Sequence, residues 1–281
     1  MLLALTLLVR NEQDIIAENL SYHLNAGVDF IIVTDHHSSD STREIIAPFV
    51  PSGQVLLRHE PSAEFQQSLW VTDMARSAHT LGADWIMNGD ADEFWIAPHS
   101  NLSSVFAEAQ ASHGVAVAHR HDFLPTAHDS RPFHESCIYR LRQSTNAQGQ
   151  PLPPKVAHRS SPGVVVAFGN HSVTAPGLGP SIDDGSLEIL HFPMRSYKQF
   201  AEKISLGAAA LEHTSGLDPG IGDTWRFLRN EQDNDQLERW YDDRAIDTAD
   251  IDAKLASGDI VIDVRLRDIL RTMGFATSRA R

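Results

Sequence analysis

The chain is predicted to be an α/β protein in which a mixed, mostly parallel sheet is flanked by helices. Two features of its first hundred residues carry that prediction. Apolar runs of strand length alternate with helix-like stretches, and the runs end in polar clusters instead of tapering.

Residues 2–9 (LLALTLLV) form a continuous apolar run that stops at Arg10-Asn11-Glu12-Gln13, as a strand buried on both faces does where it opens into a loop. Residues 14–26 read as a helix with Ile15, Ile16, Leu20 and Leu24 on one side and Gly27 as its stop. A second strand at 30–34 leads into a polar turn at 35–41 and a short helix at about 41–49, before a third strand at 55–58. A long helix at 64–81 ends at Gly82, and a fourth strand follows at 85–88. Right-handed crossovers make such strands parallel, and parallel sheets take ligands at the carboxyl ends of their strands, where Arg10-Asn11-Glu12 and the cluster from Asp35 to Asp40 fall.

Beyond residue 100 the pattern loosens. A helix is expected at 102–112 and a strand at 114–118, then a histidine-rich irregular stretch at 119–134. Strands at 136–142 and 164–167 are separated by a loop at 144–154, and 175–185, rich in Gly and Pro, reads as another loop. Residues 196–213 have helical character, and the acidic stretch 233–271 reads as two or three further helices.

Composition narrows the function. A net charge of -14, from 23 Lys and Arg against 37 Asp and Glu, argues against a nucleic-acid partner, which needs clustered cations to displace counterions. Any anionic ligand must be held locally. Cys137 is the sole cysteine, so no internal disulfide forms, which fits a reducing, cytoplasmic location. The apolar start is too short for a membrane span and is followed by Arg10, so it reads as a buried strand; no other run approaches the roughly 18–20 residues a span needs.

The most informative stretch is Asn88-Gly89-Asp90-Ala91-Asp92-Glu93-Phe94, where three carboxylates leave the end of a buried strand within four residues. Carboxylates this crowded repel one another unless a cation neutralises them, and hard oxygen donors suit magnesium or manganese. Taken alone, Asp-x-Asp is a weak pattern that also describes a solvated acidic turn. Here an apolar strand precedes it and Phe94-Trp95-Ile96 re-enters the core.

The order Val9-Arg10-Asn11-Glu12, Asp35 with Ser38-Ser39-Asp40-Ser41-Thr42, and Asp90-Ala91-Asp92-Glu93-Phe94 resembles the family 2-like glycosyltransferases of the Glyco_tranf_2_4 type, and the resemblance extends to His191-Phe192-Pro193-Met194-Arg195-Ser196 with Phe200 and Lys203. It implies a GT-A-like fold over residues 1–205, with 206–281 as a mainly helical C-terminal extension that matches nothing in the family. It also implies a nucleotide-sugar donor, a glycan or glycolipid acceptor, and a divalent cation, Mn2+ or Mg2+, as cofactor. Arg10, Asn11 and Glu12 would lie under the base and ribose, with Asp35 and Asp40 also on the nucleotide. Asp90 and Asp92 would be the metal motif, Asp92 as direct ligand and Asp90 touching ribose or a metal-bound water, and His191 would complete the metal shell. His36-His37 departs from the family, where Asn or a small residue is usual, and leaves that loop's nucleotide contacts open.

Arg10, Arg76, Lys155, Arg195 and Lys203 are the cationic candidates for pyrophosphate, each equally readable as a solvated surface charge. Inverting displacement needs a carboxylate base near the acceptor hydroxyl. Asp122 is the choice among Asp122, Glu135, Asp183 and Asp184, its alternative being a loop carboxylate paired with Arg120 or Arg131. His171 and Glu135 are the acceptor-side candidates. The five tryptophans default to core packing, with Trp225 and Trp240 also readable as an acceptor groove or a homodimer interface. A glycolipid acceptor would bring peripheral membrane association without a span.

The leading reading is therefore a hexosyltransferase using a nucleotide-diphosphate sugar, UDP-sugar favoured. The rivals are a sugar-nucleotide pyrophosphorylase, whose Gly-rich loop is replaced here by Arg10-Asn11-Glu12-Gln13, a binding protein that has lost catalysis, and a metal-dependent hydrolase built from some of the 15 histidines.

Overall fold

A computed structural model describes residues 1–62, 64–109, 113–212, 214 and 222–275. The ends of two expected helices, 110–112 and His213, lie outside the described residues. In chain order the first half contains β1 (Leu3–Val9), α1 (Ile16–Asn25), β2 (Phe30–His36), α2 (Thr42–Ile46), β3 (Val55–Glu60), α3 (Gln67–Thr80), β4 (Trp85–Asp90), β5 (Glu93–Ile96), α4 (Leu102–Glu108), β6 (Val115–Leu124), α5 (Phe133–Ser136) and β7 (Tyr139–Leu141). The second half contains β8 (Lys155–Arg159), β9 (Val165–Val166), β10 (Val173–Thr174), β11 (Ser181–Ile182), β12 (Glu188–His191), α6 (Tyr197–Glu212), α7 (Asp223–Asp233), α8 (Leu237–Asp242), α9 (Ile251–Ser257), β13 (Ile260–Ile262) and α10 (Arg265–Thr272).

The chain packs as two compact units, Met1–Arg120 with Pro153–Ile189, and His121–Leu152 with Leu190–Arg281. The boundary expected at 205/206 falls inside α6, so it does not separate these units.

The first unit has the expected mixed α/β sheet flanked by helices, in the order β3-β2-β1-β4-β8-β6. β1 pairs in parallel with β2 and β4, and β2 with β3, while β8 runs antiparallel to both β4 and β6. β1 is buried almost throughout because it is central, which is why its sequence shows no alternation. Its register sets Val9 opposite Asp35 and Leu8 opposite Asp90, so the polar ends of three strands meet at one edge. Helix α3 packs Val71, Met74, Ala75 and Ala78 against Ala4, Ile32 and Ile86 of the sheet. Helix α1 departs from its expected face: Asn19 and His23 are buried with Ile16 and Leu20, while Leu24 is only half-buried.

Six strands escaped the sequence reading: besides β8 and β13 these are β5, β10, β11 and β12, of which β11 lies within the expected loop at 175–185, and β6 itself runs on to Leu124 through the start of the stretch expected to be irregular. β8 occupies Lys155–Arg159, between the expected loop and the expected strand at 164–167. β13 interrupts the C-terminal helices and pairs antiparallel with β7. The expected strand at 136–142 begins late, because Phe133–Ser136 forms a helical turn first.

In the second unit α6, α7 and α8 share an apolar cluster of Phe200, Ile204, Leu228, Leu237 and Tyr241. Trp240 lies between Phe200, stacked at 5.5 Å, and Arg244, whose guanidinium is 3.6 Å from the ring centroid. Helices α6 and α7 touch where Gly207 faces Trp225, and a Cβ at Gly207 would come within 1.2 Å of the indole. Gly207→Ala should therefore cost about 1–3 kcal/mol, the usual cost of overpacking, despite Ala being the better helix former. Urea unfolding of the variant checks it, and equal or greater stability would mean the two helices separate at no cost.

Candidate active site

Two of the three carboxylates of the β4 end are buried, and the third, Asp90, is partly exposed. Asp92 is 2% exposed and Glu93 0%. Lys155, the first residue of β8 and itself 1% exposed, places Nζ 2.7 Å from Asp90 Oδ2 and 3.1 Å from Glu93 Oε1. Arg120 Nη1 stands 3.6 Å from the same Glu93 oxygen. Glu93 Oε2 accepts the Asp90 backbone N–H at 3.2 Å, folding the turn back on itself. Gln67, at the start of α3, reaches Asp90 Oδ1 at 3.5 Å and accepts the Gly169 N–H through Oε1 at 2.9 Å.

Helix α1 fixes the backbone of this turn. Asn19 Nδ2 donates to Ala91 O at 2.9 Å and Glu93 O at 3.0 Å, and Tyr22 Oη donates to Trp95 O at 2.9 Å. His23 Nε2 accepts the Trp95 N–H at 3.2 Å while Nδ1 lies 2.9 Å from Asn19 O, which requires the neutral Nδ1–H tautomer. Burial lowers the His23 pKa to about 4, in keeping with that requirement. Sequence reasoning missed Asn19 and His23; the available signal was two polar residues four apart on the apolar face of a helix.

The loops after β1 and β2 are knitted together. Asn11, at φ 54°, donates its backbone N–H to Ser38 Oγ at 2.9 Å and accepts the Ser39 N–H at 2.8 Å. The Glu12 N–H donates to Thr42 Oγ1 at 2.8 Å. Asp40 is spent on this network: Oδ1 accepts from the Thr42 hydroxyl at 2.6 Å and Oδ2 from the Gln13 N–H at 3.2 Å. Asp35 is fully buried, with Oδ2 3.3 Å from His59 Nδ1 and 3.8 Å from Arg43 Nε. Its Oδ1, and Arg10 Nε, are buried without a hydrogen-bond partner among the described residues. Burial lowers the Arg10 pKa while the Asp35 charge opposes that shift.

His171 adjoins this acidic end. Its Nδ1–H donates to Pro154 O at 2.8 Å, and burial, then the charge of Lys155, lower its pKa to about 4, so Nε2 carries a lone pair at neutral pH. The preceding Gly169 has φ 72°, and a Cβ there would lie 2.5 Å from His171 Nε2. Asn170, at φ 60°, keeps both amide atoms buried and unpartnered among the described residues.

Other expected residues lie elsewhere. Arg76 donates through Nε to Val164 O at 3.0 Å, and nine residues along α3 from Gln67 put it about 14 Å down the helix, away from the strand ends. In the second unit Glu135, 1% exposed, is gripped by Arg271 Nε at 2.6 Å and Nη2 at 2.5 Å, an ion pair joining α5 to α10. This keeps its pKa below the usual range. Arg195 is buried, and its Nη1 donates to Phe192 O at 3.1 Å. Lys203 is half-buried on α6. His191 belongs to the second unit, where Nδ1 lies 2.6 Å from Asp122 Oδ1; Asp122 in turn accepts nothing from its alternatives Arg120 or Arg131 but pairs with this ring. The remaining histidines are dispersed: His36 donates to Ser62 O, His119 pairs with Asp183, and His158 is buried with its pKa lowered to about 4 by burial.

Among the described residues no three His, Cys, Asp or Glu side chains gather closely enough to hold a metal ion. The donor chemistry of Asp90 and Asp92 nevertheless fits magnesium or manganese, which bind through one or two carboxylates and complete their shells with waters and substrate phosphates. A cation at Asp90 Oδ2 meets the Lys155 ammonium, which already holds that oxygen at 2.7 Å. No helix among the described residues is long and apolar enough to cross a membrane.

The neutral buried histidines make stability depend on pH. Between about pH 4 and 6.5 the unfolded chain protonates His23 and His158 while the folded chain does not, so stability is full above pH 6.5 and falls as pH drops toward 4. The slope approaches about 1.4 kcal/mol per pH unit for each ring. Urea titrations from pH 7 to 4.5 on the wild type and His158→Gln check this; identical slopes would show that His158 charges freely in the folded state.

Residues 6–206 match the model of Glycosyltransferase family 92. None of the curated proteins compared with the chain matches it. Among solved structures, S. aureus TarS 1-349 in complex with UDP is similar at 12% identity, covering 83% of this chain and 72% of that one with a TM-score of 0.43. The same protein in complex with UDP-GlcNAc gives 12% identity, 83% and 73% coverage and a TM-score of 0.44. Glucosyl-3-phosphoglycerate synthase from Mycobacterium tuberculosis, in complex with Mn2+, UDP and glucosyl-3-phosphoglycerate, is similar at 18% identity over 42% of this chain and 44% of that one, with a TM-score of 0.31. Likenesses this low carry no argument about chemistry. The motif resemblance is met at the level of a glycosyltransferase, while the matching model is not the Glyco_tranf_2_4 type. A match spanning most of the chain, including the acidic turn and both knitted loops, identifies the protein as a member of glycosyltransferase family 92.

Proposed function

We propose that the protein transfers a hexose-type sugar from a nucleotide-diphosphate sugar, UDP-sugar favoured, to a cell-surface polysaccharide or glycolipid acceptor in the cytoplasm, with inversion. The observation that carries the donor side is the convergence, at one edge of the first unit, of the acidic turn and the orphaned polar atoms of Arg10 and Asp35. Buried groups lacking partners cost free energy unless a ligand supplies them, and a base with ribose and diphosphate offers both donors and acceptors. The motif order that resembles family 2-like enzymes supports the same donor.

Asp90 and Asp92 would hold the divalent cation, Mn2+ or Mg2+, which when bound stabilises negative charge on a departing diphosphate. Lys155 and Arg10 supply positive charge at the same edge, offsetting the acidity of the chain as a whole. His171, held neutral, offers an acceptor nitrogen to a sugar hydroxyl.

For the base this reading keeps Asp122, whose Oδ1 lies 2.6 Å from His191 Nδ1 within the second unit, a contact that turns His191 from the expected metal ligand into the partner of the base. A carboxylate bonded to one ring nitrogen orients the imidazole and stabilises its protonated form, so the pair can accept the proton an attacking hydroxyl loses. Asp122→Asn preserves the shape and removes the charge. It should lower kcat by about 100-fold or more with little change in donor KM; a wild-type kcat would remove the pair from the chemistry.

Calorimetric titration with UDP, GDP and dTDP, with and without manganese, tests the donor side. UDP binding that needs manganese and disappears in Asp92→Ala is the expected outcome. Failure of all three nucleotides to bind the wild type under either condition would sink the nucleotide-sugar reading.

A further inference from the structure

Lys155 is anchored to two carboxylates of different character. Glu93 is 0% exposed, 3.1 Å from Nζ, and tied to the Asp90 backbone N–H through its other oxygen. The Asp90 side chain is 32% exposed and reaches the same ammonium at 2.7 Å. An ammonium buried this deeply needs carboxylate partners to stay charged. Glu93 is thus the permanent partner and Asp90 the exchangeable one, facing solvent where a ligand would arrive. The clamp from Asn19 to Ala91 O and Glu93 O holds the turn in place during any exchange.

A divalent cation that uses Asp90 Oδ2 displaces the ammonium and then stands beside it, like charge against like, and the ammonium, 1% exposed, has little water to screen it. A diphosphate changes that balance, because its oxygens can take up the ammonium in place of Asp90.

From this geometry we infer that Lys155 is an exchangeable internal counter-ion: it competes with the divalent cation for Asp90 and makes cation and nucleotide-diphosphate binding positively coupled. The coupling half rests on the nucleotide-sugar reading; the competition half rests on the ion pairs alone. Without nucleotide the turn is neutralised internally and binds the cation weakly. With nucleotide the ammonium moves to phosphate and Asp90 is released. Linkage makes the effect reciprocal, so the nucleotide raises cation affinity by the factor by which the cation raises nucleotide affinity.

The test measures Mn2+ binding by electron paramagnetic resonance, with no nucleotide, to the wild type and to Lys155→Met, and then repeats both with UDP. Lys155→Met should bind Mn2+ alone about tenfold more tightly or better, a gain expected from removing an adjacent positive charge. Its UDP-induced gain in Mn2+ affinity should shrink toward none. Unchanged or weaker Mn2+ binding by a variant that melts as a folded protein would overturn the competition. Should Lys155→Met fail to fold, Lys155→Met with Glu93→Gln removes one buried charge of each sign and is compared with Glu93→Gln alone, the tenfold gain being expected of the lysine substitution at a constant residue 93. On the wild type, equal Mn2+ affinity with and without bound UDP would overturn the coupling. If UDP binds in neither condition, the donor reading has failed, and the Mn2+-only comparison still decides the competition.

Discussion

Three carboxylates packed into four residues at the end of a buried strand are the constraint around which the first unit is organised. Left to themselves they would repel one another and draw the turn into water. The fold answers with charge and with backbone restraint. Lys155 and Arg120 supply the charge from neighbouring strands, at 2.7–3.1 Å and 3.6 Å. Asn19, Tyr22 and His23 supply the restraint from α1, each bonded to the main chain between Ala91 and Trp95.

Restraint of the same kind governs the neighbouring loops. Asn11, His37 and Asn170 take up positive φ, an uncommon conformation that persists where surroundings over-determine it. For Asn11 the surroundings are visible: its side chain and backbone bond to Ser38 and Ser39, and Glu12 and Gln13 bond to Thr42 and Asp40. Two loops from adjacent parallel strands thereby behave as one. Asp40 builds this platform, with both carboxylate oxygens engaged inside it, and Asp35 beneath it is the carboxylate with an oxygen left over.

What could be read from the sequence followed the physics of burial. β1, β2, β3 and β4 announced themselves because strands of a parallel sheet are apolar on both faces, and the polar ends of β1, β2 and β4 lie side by side at one edge, as their order in the sequence led one to expect. β8 did not, because Lys-Val-Ala-His-Arg looks like a solvated segment; its lysine is buried by an ion pair and its histidine by neutralisation, neither of which periodicity can report. Asn19 and His23 were hidden for the same reason, since their partners are backbone atoms more than seventy residues away. Arg76 was chosen for its charge, and helical rise carries it down α3 to the Val164 carbonyl. The acidic turn was legible as chemistry, while its counter-ion was legible only as one cation among several.

The polar atoms left unsatisfied carry the last step. Arg10 Nε, Asp35 Oδ1 and both amide atoms of Asn170 are buried without partners among the described residues, each at a cost of about 1–3 kcal/mol. Orphaned buried atoms also occur away from this edge, at Trp85 Nε1 and His113 Nδ1, so the cost by itself marks no site; what sets this edge apart is that its orphans stand beside the acidic turn and its ion pairs. Asn170 adds a backbone conformation that costs something of its own. Pre-oriented polar groups held dry beside fixed charge do not have to reorganise when a complementary ligand arrives, and the free energy withheld in folding is recovered on binding. Under the nucleotide-sugar proposal the unsatisfied atoms and the neutralised turn belong to one site, in which the folded chain keeps its own charges paired and leaves hydrogen-bonding capacity for the donor.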